Sequence, residues 1–254
     1  MFIAVGSVKG SNGVTTLALG LTAMWPQPGA VLVECDADGG DLAYRFGHNP
    51  YPPMPGLSSL AAACRDGAGQ ASLTDHVQRL RLGVEVVLAP PGDVAAASAQ
   101  TLAYAGADVL NRAASTATVV ADVGRLTRGG PGLALAAAAD HLLLVARPTL
   151  DQLTQVQVRL DWLSEAIRGR LWLVRAASGR YWPKEMTRDL DVHVAGELPS
   201  DRWGAGVLAG RLVGTGWRRL RLPRAARSIA LTLAADIDAD RGRHARINRV
   251  EVNP

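Results

Sequence analysis

Several features are scarce in this chain of 254 residues, and each scarcity excludes a class of protein. The two cysteines, Cys35 and Cys64, provide neither a disulfide framework nor the spacing of a metal site. No apolar run reaches the length that crosses a bilayer. The N-terminus lacks the basic region and the cleavage site of a secretory signal peptide. We therefore expect a protein of the reduced cytoplasm.

Aromatic residues and lysines are also rare. Aromatics make up 5% of the chain while hydrophobic residues reach 48%, so the core must consist mainly of Ala, Leu and Val. The net charge is +4, and apart from two lysines, Lys9 and Lys184, the basic residues are arginines. Because the composition favours Arg throughout, a lysine retained in a glycine-bearing loop at residue 9 indicates that a compact ammonium group is needed there.

Apolar, β-rich segments alternate with helical ones along nearly the whole chain. Strands are predicted at residues 2–8, 30–35, 84–89, 116–122, 141–146, 171–174 and 192–195. Helices are predicted from residue 14 onward and at 57–64, 72–80, 93–114, 133–139, 150–167, 182–190 and 223–236. Crossovers of this length favour parallel pairing, so we predict an α/β fold, a single doubly wound, mostly parallel sheet with helices on both faces. We assign this domain to residues 1–237 and a basic, flexible tail to 238–254.

The first strand passes into the first helix through the loop Lys9-Gly10-Ser11-Asn12-Gly13. The backbone N–H groups of such a loop, together with the positive end of the helix dipole, can hold a phosphate group. Glycine at a strand-to-helix turn is also an ordinary requirement of α/β proteins. The loop alone does not decide between these two interpretations.

Acidic residues lie where two later strands end. Asp36 follows the second strand in the acidic, glycine-rich segment 34–42, and Asp122 ends the 116–122 strand. Carboxylates at the carboxyl ends of parallel strands face the ligand crevice of an open sheet. Asp122 ends its strand downstream of a phosphate loop, and an acid in this place is typical of Mg²⁺ binding. The alternative is that both belong to ordinary polar turns.

In this order, the loop and the two acids resemble the ParA/MinD family of P-loop ATPases with a deviant Walker A loop, whose pattern is K-G-G-x-G-K-[ST]-[ST]. Residues 9–16 (KGSNGVTT) have the same length and register. Residues 34–36 take the place of the family's Asp-x-Asp pair, and Asp122 takes that of the Walker B acid. Segments 142–148 and 196–201 are also similar, so the resemblance covers residues 1–236.

The resemblance implies a homodimer that binds ATP and Mg²⁺ and positions DNA, the septum, or a secretion or pilus machine with an unidentified protein partner. Lys9 would reach the phosphates across the dimer interface, and Asp36 would position the attacking water. Thr15 and Asp122 would hold Mg²⁺. The further nucleotide contacts would come from Gly10, Ser11, Asn12, Gly13, Val14, Thr16 and Pro199.

One position departs from the family pattern, because Val14 stands where the P-loop lysine would neutralise the β- and γ-phosphates. Lys9 could take over this role, an arginine such as Arg125 or Arg147 could substitute, or the protein does not hydrolyse or even bind ATP. Arg175 stands where the family often has a base-reading Asn, which leaves the base specificity open. The simultaneous match of the other motif residues favours retained nucleotide binding, and a pseudo-ATPase scaffold is the alternative.

Arginines are concentrated in the last third of the chain. Such a run of charges usually forms a solvated helix face. The functional interpretation is that these arginines contact DNA phosphates without regard to sequence. Membrane binding is not expected, because the last residues lack the wide apolar face of an amphipathic anchor. The arginines are Arg211, Arg218, Arg219, Arg221, Arg224, Arg227, Arg241, Arg243, Arg246 and Arg249.

Overall fold

The computed structural model describes residues 1–10, 12–49, 54–67 and 69–250, of which 237–250 are described by their backbone alone. Within these residues, eight strands form one sheet. The strands are β1 (Phe2–Ser7), β2 (Ala30–Glu34), β3 (Gln78–Arg79), β4 (Glu85–Val87), β5 (Thr118–Arg125), β6 (His141–Ala146), β7 (Arg170–Ala176) and β8 (Val194–Leu198). Their order across the sheet is β3-β4-β2-β5-β1-β6-β7-β8. Strand β3 pairs antiparallel with β4, and the other neighbours pair in parallel.

Helices connect the parallel strands. They are α1 (Val14–Met24), α2 (Leu42–Phe46), α3 (Leu57–Gly67), α4 (Asp93–Thr101), α5 (Ala107–Ala114), α6 (Pro131–Ala137), α7 (Leu150–Gln157), α8 (Leu160–Ala166), α9 (Pro183–Leu190), α10 (Arg202–Leu208) and α11 (Arg221–Val250). A π-helical turn, Leu102–Gly106, joins α4 to α5.

The core lies in two layers, one on each face of the sheet. Strand β1 shows the division, because Phe2 and Ala4 belong to one apolar cluster while Ile3 and Val5 belong to the other. Successive residues of a strand point to opposite faces, so a strand buried at every position must be covered on both sides. The predicted doubly wound α/β fold is therefore confirmed.

Two of the predicted helices were wrong. Segment 72–80 forms a 3₁₀ turn, Leu73–His76, followed by β3, because a tight turn at Gly83 (φ +81°) folds the chain back into an antiparallel edge pair. The helix predicted at 150–167 is broken into α7 and α8, and each of the two helices still buries a side chain of the predicted apolar face, Val156 and Leu163.

The last helix is longer than predicted. Helix α11 ends at Val250, not at residue 236, since segment 237–250 is rich in Arg and contains no proline. The division into a domain at 1–237 and a flexible tail at 238–254 stays a prediction. None of the helices in the described part of the chain combines the length and the apolar character that a membrane span needs.

Candidate functional site

The glycine-bearing loop lies between β1 and α1, at the edge of the sheet where the parallel strands end. Gly13 precedes α1 with a left-handed backbone (φ +87°), which favours glycine at this position. Within the described residues, no side chain caps the start of α1. The first N–H groups of this helix are therefore available to an anion.

Two side chains hold the loop in place. The Asn12 side chain is buried, and its Nδ2 donates to the carbonyl of Val145 at 3.3 Å and to Oε1 of Gln152 at 3.1 Å. The hydroxyl of Ser7 donates to the carbonyl of Lys9 at 2.6 Å. The Asn12 side chain thus ties the loop to β6 and α7. Ser11, predicted to contact the nucleotide, lies outside the described residues.

A cavity of about 420 Å³ opens in front of the loop. It brings together many of the residues that the sequence singles out. Its lining consists of Ser7, Gly10, Asn12, Gly13, Val14, Thr15, Thr16, Asp36, Asp38, Asp41, Arg45, Gly124 and Arg125. Among the described residues, Lys9 and Pro199 do not line it.

Asp122 is buried and is linked to the cavity through Thr15. Its carboxylate accepts hydrogen bonds from the Thr15 hydroxyl and, at 3.1 Å, from the backbone N–H of Gly124. Burial, together with the nearby Asp36 charge, raises the pKa of Asp122 from 3.8 to about 6, although the hydrogen bonds from Thr15 and Gly124 act in the opposite direction. A bound cation would offset both effects and favour the ionised form.

The Thr15 and Asp122 oxygens fit Mg²⁺, which prefers hard oxygen ligands and often takes only one or two protein carboxylates. No group of three or more His, Cys, Asp or Glu side chains is placed to hold a metal ion in the described part of the chain. A hydroxyl and a carboxylate that already contact each other are the components that an ion shared with phosphate oxygens would need.

Asp36 faces the same cavity and lies against the end of β5. Gly124 has φ +59°, and a Cβ at this position would overlap the Asp36 carboxylate. Oδ1 of Asp36 also accepts the backbone N–H of Asp38 at 3.0 Å, and burial raises the pKa of Asp36. Glycine at 124 is therefore required for the approach of Asp36 to Asp122.

Glu34 has a role that the sequence did not reveal. Its side chain is buried, and Oε1 accepts the backbone N–H groups of Asp41 (3.1 Å) and Leu42 (3.0 Å), while Oε2 accepts that of Ala89 (3.0 Å). Burial raises the pKa of Glu34 from 4.5 to about 7. The carboxylate therefore clamps the segment that carries Asp36 onto the chain leaving β4.

Close backbone contacts reinforce this clamp. The N–H of Gly40 donates to the carbonyl of Pro90 at 3.1 Å, and a Cβ at Gly40 would overlap the carbonyl of Ala89. Gly39, with φ +112°, forms a bridge to Pro91. Glycine at 39 and 40 lets the segment lie directly on its neighbour.

The cations of the site differ from those expected. Val14 joins the apolar cluster beside α1. Lys9 is exposed, and its charge adds to the hydrogen bond from the Thr149 hydroxyl in lowering the pKa of Asp151. Of the described cationic residues, Arg45 and Arg125 line the cavity, and Arg147 does not. Arg45 was missed by the sequence reading because a single arginine on a short helix carries no motif.

Arg175 and Pro199 belong to a different cavity of about 480 Å³ at the ends of β7 and β8. The Arg175 guanidinium is buried and donates to the carbonyls of Tyr181 (2.9 Å) and Gly179 (3.1 Å) and to Glu197 (2.5 Å). Arg175 therefore ties β7 to β8 and to the loop that follows β7.

Comparisons with known proteins bear on the fold. No protein-family model matches the sequence, and no curated protein matches it. A solved ParA family ATPase from Chlorobium tepidum TLS is similar, with a TM-score of 0.70 and 20% identity, over 91% of this chain and 98% of that one. The cell division ATPase MinD of Pyrococcus furiosus has a TM-score of 0.68 and 19% identity, over 92% and 98%.

A third similar structure is the septum site-determining protein MinD from Pyrococcus horikoshii OT3, complexed with Mg-ADP. Its TM-score is 0.67 and its identity 17%, over 90% of this chain and 93% of that one. These likenesses extend over nearly the whole of both chains. The resemblance predicted from the motifs is thereby confirmed at the level of the fold, and this chain has the fold of the ParA and MinD ATPases.

Proposed function

We propose that this chain is a ParA/MinD-like protein that binds ATP with Mg²⁺ in the cavity in front of α1. The observation that carries the proposal is the buried Asp122 bonded to the Thr15 hydroxyl, beside a loop whose helix N-terminus is open. The complex of Pyrococcus horikoshii MinD with Mg-ADP supports the same ligand class.

Each predicted residue then has a specific task. The N–H groups of Gly10 to Gly13 and the start of α1 would hold the phosphates, with Thr16 at the α-phosphate. Thr15 and Asp122 would hold Mg²⁺, which neutralises phosphate charge when it is bound. Asp36 would orient the attacking water. Lys9 does not line the cavity of its own chain, which agrees with its proposed action across a dimer interface.

The wider proposal is a dimerising switch that positions or partitions DNA, the septum, or a secretion or pilus machine in the cytoplasm. Such a switch needs ATP binding more than fast turnover. Because Val14 cannot neutralise charge in the transition state, hydrolysis is expected to be slow, by analogy with the loss of one preorganised donor, which costs about 2.7–4 kcal/mol.

The alternative is a pseudo-ATPase scaffold that keeps the fold and the dimer face. It is favoured by the burial of the Val14 side chain in the apolar cluster, which leaves no cation at this position of the loop. Measured ATP turnover that Asp36→Ala abolishes would exclude this alternative.

Nucleotide binding is tested with a fluorescent ATP analogue titrated against the full chain with and without Mg²⁺. Saturable, Mg²⁺-dependent binding is expected, and Thr15→Ala should weaken it by about tenfold or more, since a charge-assisted contact contributes about 1.5–3 kcal/mol. The matched control is Thr22→Ala, on the same helix, whose hydroxyl donates to Ala18. No saturable binding at millimolar nucleotide would refute the proposal.

A second candidate function is non-specific DNA binding. The observation that favours it is a set of exposed arginines, none of which forms a salt bridge with another described residue. They are Arg211, Arg218, Arg219, Arg221, Arg224 and Arg227. Exposed guanidinium groups concentrated on one segment are suited to bind phosphates.

DNA binding should fall steeply with salt and should weaken when Arg218, Arg219 and Arg221 are changed together to Gln. Each lost phosphate contact should reduce the slope of log K against log[salt] by about 0.9. The control is the change of Arg65, Arg81 and Arg128 to Gln, which removes the same charge from exposed positions elsewhere. A gel shift that responds equally to both triple variants, or to neither, contradicts this candidate.

A further inference from the structure

We propose that Arg45 supplies the positive charge that the phosphate loop lacks at residue 14, by binding the phosphates of the nucleotide directly. This inference rests on the proposed function and concerns the same cavity. Val14 leaves α1 without a cation at the position where phosphate charge would be met. The question is which described residue takes its place.

The cavity lining limits the candidates. Of the described cations, only Arg45 and Arg125 line it. The side chain of Arg125 is 53% exposed and lies 3.8 Å from Asp38, whose side chain is 74% exposed, so this pair is held mainly in solvent. The Arg45 side chain is 32% exposed and lines the same cavity, so it is the more enclosed of the two cations. Arg45 is therefore the stronger candidate for direct contact with the phosphates.

A second cavity shows which side Arg45 faces. About 490 Å³ in volume, it is lined by Thr16, Tyr44, Arg45, Ala205, Ala209 and Arg211. Thr16 and Arg45 are the two residues that line both cavities. Thr16 is the residue proposed for the α-phosphate, so Arg45 stands beside the path that the phosphate chain would follow.

The backbone of Arg45 is held from both directions. Gly47, directly after α2, has a left-handed conformation, and a Cβ at Gly210, in the turn after α10, would overlap the carbonyl of Arg45. One helical turn earlier, Asp41 forms an ion pair with the guanidinium, and the N–H of Asp41 is fixed by Glu34. The clamp at Glu34 thus positions the segment that presents Arg45.

The Asp41 pair leaves donors for a ligand. A guanidinium carries five N–H donors in a planar fork, so one edge can bind a carboxylate while another binds a phosphate. A lysine ammonium presents no such second edge. Replacing Arg45 by Lys should therefore keep the charge but recover only part of the affinity.

The test measures the dissociation constants of ATP, ADP and AMP with Mg²⁺ for the parent chain, Arg45→Gln, Arg45→Lys and Arg125→Gln. Arg45→Gln should weaken ATP binding by about tenfold or more and AMP binding by less. The ATP affinity of Arg45→Lys should lie between those of the parent chain and Arg45→Gln. The control, Arg188→Gln, removes an exposed arginine paired with Asp189 on α9 and should leave affinity unchanged. Asp41 is 62% exposed, so loss of its partner should not unfold the protein, and unfolding midpoints check this.

The outcomes separate the two proposals. Absence of saturable ATP binding by the parent chain would refute the proposed function itself. ATP binding by the parent that survives Arg45→Gln, or that is lost in Arg125→Gln instead, would overturn the assignment of Arg45 and leave the proposed function in place. An equal loss for AMP and ATP would also overturn it, because the charge to be neutralised grows with each phosphate.

Discussion

An Asp122→Asn variant is expected to be more stable than the parent chain without ligand and to lose most of its Mg²⁺-dependent affinity for ATP. Asp122 is buried, and its pKa is raised from 3.8 to about 6. Because the pKa of Asp122 is higher in the folded state than in the unfolded state, this carboxyl stabilises the fold only while it is protonated. Its contribution to stability is therefore present below about pH 4 and is lost as the pH rises through 6. At pH 8 the parent therefore maintains a buried, ionised carboxylate.

Asn removes that charge and retains an oxygen for the Gly124 N–H. The expected gain in the free energy of unfolding at pH 8 is on the order of 1–3 kcal/mol, from about 1.4 kcal/mol per pKa unit. The gain should be largely lost near pH 4, where Asp122 is protonated in the folded state and about half protonated in the unfolded state. The same substitution removes the anionic oxygen that Mg²⁺ would need, so stability and ligand affinity should move in opposite directions.

Urea unfolding at the two pH values and ATP titrations with and without Mg²⁺ check both parts. The control is Asp161→Asn, an exposed acid on α8 that faces no part of the cavity. An Asp122→Asn variant that keeps its full Mg²⁺ dependence would show that the ion, if bound, lies elsewhere.

Much of this site follows from the sequence because it depends on strand ends. In a parallel sheet the carboxyl ends meet at one edge, so a loop after β1, an acid after β2 and an acid in the last half of β5 must converge there. Thr15, Asp36 and Asp122 do converge, and their order along the chain was enough to predict it.

The rest of the site depends on contacts between segments that are distant in the sequence. Glu34 was read as one of a pair of acids, yet its three bonds fix it as a clamp because Ala89 comes close only when β4 lies beside β2. Arg45 enters the cavity for the same reason, since α2 is placed by that clamp. Pro199 was predicted to contact the nucleotide but lines a separate cavity. A motif match cannot tell which of two neighbouring cavities a residue lines.

A Glu34→Ala variant should be strongly destabilised and should bind ATP weakly. The change leaves the buried N–H groups of Asp41, Leu42 and Ala89 without their acceptor, and each such group costs about 1–3 kcal/mol. The sum is a large part of the roughly 5–15 kcal/mol by which a domain is stable. Both Asp36 and Arg45 would also lose the support that positions them.

Glu34→Gln separates the clamp from its charge. Gln keeps the shape and can accept two of the N–H groups, so this variant should fold. Because the pKa of Glu34 is raised from 4.5 to about 7, the contribution of the parent carboxyl is present below about pH 4.5 and is lost as the pH rises through 7. The destabilisation by Glu34→Gln should therefore be largest near pH 5 and smaller at pH 8, by up to about 3 kcal/mol.

Urea unfolding of the parent, Glu34→Ala, Glu34→Gln and the control Glu85→Gln, an exposed glutamate on β4, measures this difference. The control should be near neutral at both pH values, because its side chain stays in solvent. A destabilisation by Glu34→Gln that grew with pH would mean that the three N–H donors outweigh burial and hold the carboxylate ionised. In that case Glu34 would act as a charged anchor, and the segment bearing Asp36 and Arg45 would be fixed most firmly in alkaline solution.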